Sequence, residues 1–251
     1  MIRFFADPQD ISGNTIKLNK EDSKHIRTLR LRPHEEFIVC DGNGTDYICK
    51  LGEREDCSIT EVLKKLKSHG EPSLKCRVFM AYSKGDRLDY AVQKSVELGS
   101  SEIILFESNR CVAVPRDITK KVERLQKIAH ETAKQSGRGI IPAVSSGGNF
   151  ENIVTDAVKN SDFALLFYEN EKNTHIKEVL EKNFSHLHGH EECKVKSVSV
   201  ITGPEGGFEP QEIKLADSKD IHIVSLGSRI LRSETAPVVA LTTIMYQTGN
   251  L

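Results

Sequence analysis

Two short stretches carry residues that could do chemistry. The first is "ITGPEGGF", residues 201–208, where Gly203, Pro204, Glu205, Gly206 and Gly207 interrupt a strand pattern and keep one carboxylate. Glycines at such a place let a ligand approach the backbone closely. The second is "LGSRILRSETAP", residues 226–237. It offers two guanidinium groups, Arg229 and Arg232, spaced by three residues with Ile230 and Leu231 between them. The first loop lacks the G-x-G-x-x-G and G-x-x-x-x-G-K-[ST] patterns, which excludes a dinucleotide fingerprint and a P-loop. A plain Gly-Pro turn would explain the first stretch alone. Two unusual loops after consecutive strands argue for a ligand cleft instead.

Both loops need strands to aim them and helices to follow. "SVSVIT" reads as a strand ending at the carboxyl edge of a sheet, where open α/β folds bind ligands. Pro210 suits the first turn of a helix over 209–218. After the second loop, Ser233 or Thr235 can cap a last helix over about 234–247, with Glu234 at its positive end and Pro237 in its first turn.

Upstream, "RVFMAYS", "EIILF", "FALLFY" and "IHIVSL" read as strands. Helices are predicted at "DRLDYAVQKSVELG", with Asp86 as N-cap and Gly99 as stop, at 119–135, and at "THIKEVLEKNF". Alternating strands and helices imply a parallel sheet covered on both faces. The first seventy residues differ. "RFFA", "TIKL" and the hairpin "EEFIVCDGNGTDYICKL" are β-rich, and Asp-Gly and Asn-Gly favour a tight turn. "CSITEVLKKLK" reads as another strand, with a helical turn as the alternative. "EDSKHIRTLRLRP" reads as a short helix ending before Pro33. A linker at 67–73 divides a small barrel, residues 1–70, from an α/β domain, residues 73–251.

The 251 residues include 38% hydrophobic and 28% charged residues, which is ample for a core. A net charge of −1 means that any nucleic-acid binding must come from local patches. No apolar run approaches a membrane span, the N-terminus lacks a secretory h-region, and six cysteines form no C-x-x-C pair. These features lead us to expect free thiols and a cytoplasmic location.

"ITGPEGGF" followed by "LGSRILRSETA" resembles the RsmE family, the small-subunit (16S) ribosomal RNA uracil-N3 methyltransferases of the SPOUT class. "KGDRLDYAVQKSVELG", "AKQSGRGIIP" and "LLFYENE" match further blocks of that family, and "RFFADP…HIRTLRLRP…DGNG" matches its N-terminal PUA-like domain. In "ESNRCVA" the family usually has an acidic-Arg-Ser arrangement, so no role is assigned to that segment.

The resemblance implies a SPOUT-type parallel sheet with a C-terminal trefoil knot behind a PUA-like barrel. It implies S-adenosyl-L-methionine (SAM) as cofactor, held by three loops. Here these include Leu166, Phe167 and Tyr168, then Thr202, Gly203 and Gly207, then Leu226, Gly227, Ile230 and Leu231. It implies 16S ribosomal RNA within the assembled 30S small ribosomal subunit as substrate, and a homodimer with the last helix at its interface. Arg229 and Arg232 would stabilise charge on uracil or hold RNA phosphate. Glu205, Glu169 and Glu234 are alternative general bases, with Glu169 read as a solvated loop residue.

RNA phosphate would meet the basic run Lys24, Arg27, Arg30 and Arg32, which has no acid between its members, together with Arg138. A second basic cluster spans Arg116, Lys120, Lys121, Arg124 and Lys127. The alternating His186, His188 and His190 lack further ligands at metal spacing, so no metal is expected. The competing readings are a SPOUT enzyme acting on transfer RNA and an assembly factor without catalysis. The intact loops disfavour the second.

Overall fold

The computed structural model describes residues 1–32, 34–52, 57–184 and 195–251. Pro33, His186, His188, His190 and Cys193 lie outside the described residues. The chain divides into two compact units: residues 1–71 with 133–141, and residues 72–132 with 142–251.

The first unit is a curled six-stranded sheet in the order β1-β4-β5-β6-β3-β2. Its strands are β1 (Arg3–Phe5), β2 (Ile11–Ser12), β3 (Thr15–Lys17), β4 (Phe37–Cys40), β5 (Thr45–Leu51) and β6 (Ile59–Lys67). The β4–β5 hairpin turns as its sequence requires, since Asp41 Oδ1 accepts from the amides of Asn43 at 2.8 Å and Thr45 at 3.0 Å. "ITEVLKKLK" is a strand throughout, not a helical turn. Pairing with both β5 and β3 satisfies its backbone, which local propensity does not foresee.

Helix α1 (Lys20–Leu29) is capped by Asn19, whose side chain accepts from the Asp22 amide. It ends at Arg30, which takes a left-handed conformation (φ 52°). The core of this unit gathers Phe4, Ile16, Ile26, Phe37 and Val39. Residues 133–141 also belong to this unit, so a division at the 67–73 linker alone assigns them to the wrong side. They return through the bridge Asn43–Ile140 and the bond from Gly44 N to Gly139 O at 3.1 Å.

The second unit is a six-stranded all-parallel sheet in the order β12-β10-β11-β7-β8-β9. Its strands are β7 (Lys75–Ala81), β8 (Glu102–Glu107), β9 (Ala143–Asn149), β10 (Phe163–Phe167), β11 (Ser197–Thr202) and β12 (His222–Val224). Its helices are α2 (Arg87–Glu97), α4 (Phe150–Lys159), α5 (Ile176–Phe184), α6 (Pro210–Asp217) and α7 (Ala236–Gln247). Helix α3 (Ile118–Ser136) begins in this unit and ends in the first.

Side chains alternate across the strands. Phe79, Ile104, Leu166 and Ile201 join Phe150, Ile153, Phe208 and Ala216 in one core. Helix α7 packs on β7 and β11 beside α2 and α5.

Strand β9 and helix α4 are absent from the sequence reading. "AVSSGGN" has too few apolar residues to signal a strand, and as the last strand of its sheet β9 needs only one partner. Asp86 sits at the N-cap of α2 without a side-chain bond, and neither Ser233 nor Thr235 caps α7 through its side chain. Instead the Arg232 carbonyl accepts from the Thr235 and Ala236 amides at 2.9 and 3.0 Å.

Candidate cofactor and active site

At the carboxyl edge of the parallel sheet lies a cleft of about 590 Å³. Its walls are the end of β10 (Phe167) with Tyr168 and Glu169, the glycine-rich loop after β11 (203–207), and the loop after β12 (225–234), with Arg87 at its rim. The two loops singled out from the sequence therefore face each other. The cleft's size is that of a site for a nucleoside-bearing cofactor.

Each loop has a local reason for its shape. Gly207 N donates to Pro204 O at 3.0 Å, closing a turn, and Gly207 takes φ +67°. A β-carbon on Gly207 would also collide with the Glu169 carboxyl group. A β-carbon on Gly203 would press on the Phe208 ring at 3.0 Å. That ring is buried against Phe150, with centroids 5.4 Å apart, so it anchors the end of the loop in the core. Glu209 then opens α6, and its amide donates to Glu212 Oε2 at 2.8 Å.

Arg87 was not read as a site residue. Its Nη1 lies 2.5 Å from Glu205 Oε1, and its Nε lies 3.8 Å from Glu234 Oε2. The Lys84 amide also donates to Glu205 Oε1 at 2.9 Å. Burial pushes the Glu205 carboxyl up, but bonds from the Lys84 amide, its own amide and Arg87 outweigh this and hold it below the usual value. A carboxylate so stabilised is a weak base, so Glu205 is better suited to holding the loop than to abstracting a proton. Only its place in "KGDR" hinted at Arg87.

The segment "ESNRCVA" also contributes. Arg110 Nη1 donates to Gly206 O at 3.3 Å, and Asn109 Nδ2 donates to Glu209 Oε2 at 2.9 Å. The buried Glu212 carboxylate accepts from Ser108 Oγ at 3.2 Å and the Asn109 amide at 3.1 Å. This segment braces the glycine-rich loop from behind.

Of the residues expected to hold a cofactor, Phe167, Tyr168, Gly203, Gly207, Leu226, Gly227, Ile230 and Leu231 line the cleft. Leu166 and Thr202 do not. Leu166 points into the core on the α4–α6 side, and buried Thr202 donates its hydroxyl to Phe79 O at 3.3 Å. Alternation along β10 turns Leu166 away from the cleft, whereas Thr202 is the register partner of Phe167 and is withheld by burial and by its bond to Phe79 O. Arg229 and Arg232 line it, and the Arg232 side chain is 81% exposed, 4.0 Å from Glu234 Oε1. Ile230 is 83% exposed.

In the first unit, Lys24, Arg27, Arg30 and Arg32 are exposed, as a phosphate contact requires. Arg138 is not. It is 3% exposed, and Glu71 holds it, with Nη2–Oε2 at 2.7 Å. Its charge is committed to that carboxylate, so its assignment to RNA is corrected. Lys121 and Arg124 of the second basic cluster are likewise paired with Asp89.

Residues 70–245 match the family model of an RNA methyltransferase domain, and residues 18–60 match an RNA methyltransferase PUA domain. The ribosomal RNA small subunit methyltransferase E of Mesomycoplasma hyopneumoniae is 32% identical over 96% of this chain and 98% of its own length. The enzyme of that name from Bacillus subtilis is 31% identical over 100% of this chain and 98% of its own. The chain belongs to the RsmE family. A solved RsmE structure from Neisseria gonorrhoeae, bound to S-adenosyl methionine, superposes with a TM-score of 0.82 at 29% identity, covering 98% of this chain and 97% of that one. The matched regions include both special loops and residues 18–60 of the N-terminal unit.

Among the described residues, no helix is long and apolar enough to cross a membrane, and no group of His, Cys, Asp or Glu could hold a metal ion.

Proposed function

We propose that this protein transfers a methyl group from SAM to N3 of a specific uridine in small-subunit (16S) ribosomal RNA within the 30S subunit. The observation that carries this reading is the meeting of loops 203–207 and 225–234 in one cleft. Membership in the RsmE family supplies the chemistry.

The residues present fit the cofactor. Leu226, Ile230 and Leu231 give apolar walls suited to an adenine ring, and the backbone of Gly203–Gly207 admits ribose and amino-acid groups closely. When bound, SAM supplies an electrophilic methyl group on a sulfonium. Arg87, Glu205 and the bracing Arg110 hold the loop, so that the reacting groups meet in a fixed geometry. Arg232 and Arg229, exposed at the cleft, stabilise negative charge that develops on uracil O2 or O4 as the N3 proton leaves. With that charge stabilised, the N3 proton passes to solvent water, and Glu205 need not act as a base.

In this reading the cluster Lys24, Arg27, Arg30 and Arg32 holds RNA phosphate, and a paired uridine is flipped out to reach the site. A homodimer would cover the exposed Ile230 and Tyr246. Passage of α7 back onto β7 and β11, after the chain has reached edge strand β12, suits a trefoil knot.

The test is tritium transfer from labelled SAM to purified small subunits lacking the modification, with the nucleoside identified by mass. Label on uridine N3 is expected. SAM binding without label on subunits or on naked 16S RNA would redirect the search to transfer RNA. Absence of both would overturn the reading.

A further inference from the structure

Three carboxylates line the cleft: Glu169, Glu205 and Glu234. Two of them are answered within the protein. Glu205 pairs with Arg87, and Glu234 lies near Arg87 and Arg232 and accepts from Ser233 Oγ at 3.2 Å. Glu169 differs, because it makes no hydrogen bond or ion pair with any described residue. Glu169 is exposed at the cleft, and its carboxyl group lies against Gly207, where a β-carbon would displace it. Phe167, two residues before it, ends β10, so the sheet fixes where the carboxylate begins.

An unmatched carboxylate facing a cleft attracts a positive charge, more so once a ligand excludes water. We propose that Glu169 is the specificity residue that recognises the positive charge of the cofactor. This rests on the SAM reading above. The cofactor carries two cationic centres, the α-ammonium and the sulfonium. S-adenosylhomocysteine keeps only the ammonium, and 5′-methylthioadenosine has neither. A solvated loop glutamate would not distinguish these three molecules.

The test is calorimetric titration of the full chain and its Glu169→Gln variant with each compound. Glutamine keeps the size of the side chain against Gly207 and removes only the charge. Glu169→Gln is expected to weaken SAM about fivefold or more and to leave 5′-methylthioadenosine unchanged. Equal weakening of S-adenosylhomocysteine places the contact at the ammonium. Weakening of SAM alone places it at the sulfonium. Glu169→Asp, charged but shorter, is expected to be intermediate. SAM affinity within twofold of the parent would overturn the proposal, as would equal weakening of 5′-methylthioadenosine, which would mean that loop shape and not charge had changed. If the parent protein binds none of the three, the SAM reading fails, and this proposal fails with it.

Discussion

Arg87 Nη1 lies 2.5 Å from Glu205 Oε1 while Arg87 Nε faces Glu234 Oε2 at 3.8 Å, so one guanidinium ties the glycine-rich loop to the turn before α7. Those are the two loops that form the cleft. Arg87→Ala releases both at once. Turnover at saturating SAM is expected to fall between about tenfold and a hundredfold, the scale of a small misplacement of reacting groups. Glu205→Gln should do much of the same damage, and the double variant should be little worse than the poorer single one. Effects that multiply in a steady-state comparison of the four proteins would mean that the two residues act separately.

Arg232 has a different part. Its side chain is largely exposed at the cleft and meets Glu234 only at 4.0 Å, so it is free to turn toward a substrate. Arg232→Ala is expected to lower turnover by roughly a hundredfold or more, as the loss of a charge-stabilising donor does. Calorimetric SAM affinity should be largely kept. Loss of SAM binding instead would move Arg232 from the RNA side of the site to the cofactor side.

Gly207→Ala faces two penalties. The positive φ of +67° costs roughly 1 kcal/mol for any β-carbon, and the new atom would collide with the Glu169 carboxyl group. The collision displaces either the loop or Glu169, and both line the cleft. We expect SAM binding to weaken more than about tenfold with only a modest fall in Tm. Unchanged SAM affinity would show that this turn does not shape the cofactor site.

Much of the site was legible because its signals are local. Glycine, proline and paired arginines mark loops whatever surrounds them, and the strands before them are strongly apolar. What was missed depends on partners distant in sequence. Arg87 matters through Glu205, and Arg110 through Gly206. Strand β9 exists because β8 offers it a partner, not because "AVSSGGN" favours a strand. The resemblance brings Leu166 and Thr202 to the cofactor loops, yet alternation turns Leu166 into the core, and Thr202 is buried with its hydroxyl on Phe79 O. Arg138 carried a charge that suited RNA, and only the fold reveals Glu71 beside it.

The first unit holds a buried pair that makes its stability depend on pH. Arg3 donates to Asp46 at 2.6 and 2.7 Å, and Ser68 Oγ adds a bond at 2.6 Å. Burial alone would raise the Asp46 carboxyl, but the bonds from Arg3 and Ser68 outweigh it and hold the group below the usual value. The unfolded chain therefore binds this proton more readily than the folded one. The pair's contribution is complete above the ordinary Asp value of about 3.9 and is lost as pH falls through the lower folded value. Asp46→Asn should cost roughly 3 kcal/mol near neutral pH, because Arg3 is left buried without its counter-charge. As pH falls below the ordinary Asp value, the gap between variant and parent should narrow in urea melts. A gap that stayed constant with pH would mean that the charge of Asp46 contributes nothing.

Arg138 and the run Lys24–Arg32 contrast a structural cation with exposed ones that we propose meet RNA. Arg138 donates to Glu71 with Nε and Nη2, and the same carboxylate accepts from the Gly139 and Ile140 amides at 2.8 and 3.0 Å. Arg138→Ala strips Glu71 of its buried partner, so it should lower Tm while leaving the salt dependence of RNA binding alone. Lys24, Arg27, Arg30 and Arg32 are exposed instead, and α1 with its left-handed end at Arg30 presents them from one short stretch. Replacing any one with Ala should barely move Tm. It should weaken RNA binding at low salt and reduce the slope of log affinity against log salt by about 1 for each phosphate that is no longer neutralised. Filter binding across a salt series reads both quantities. An unchanged slope after all four replacements would place the RNA on another face.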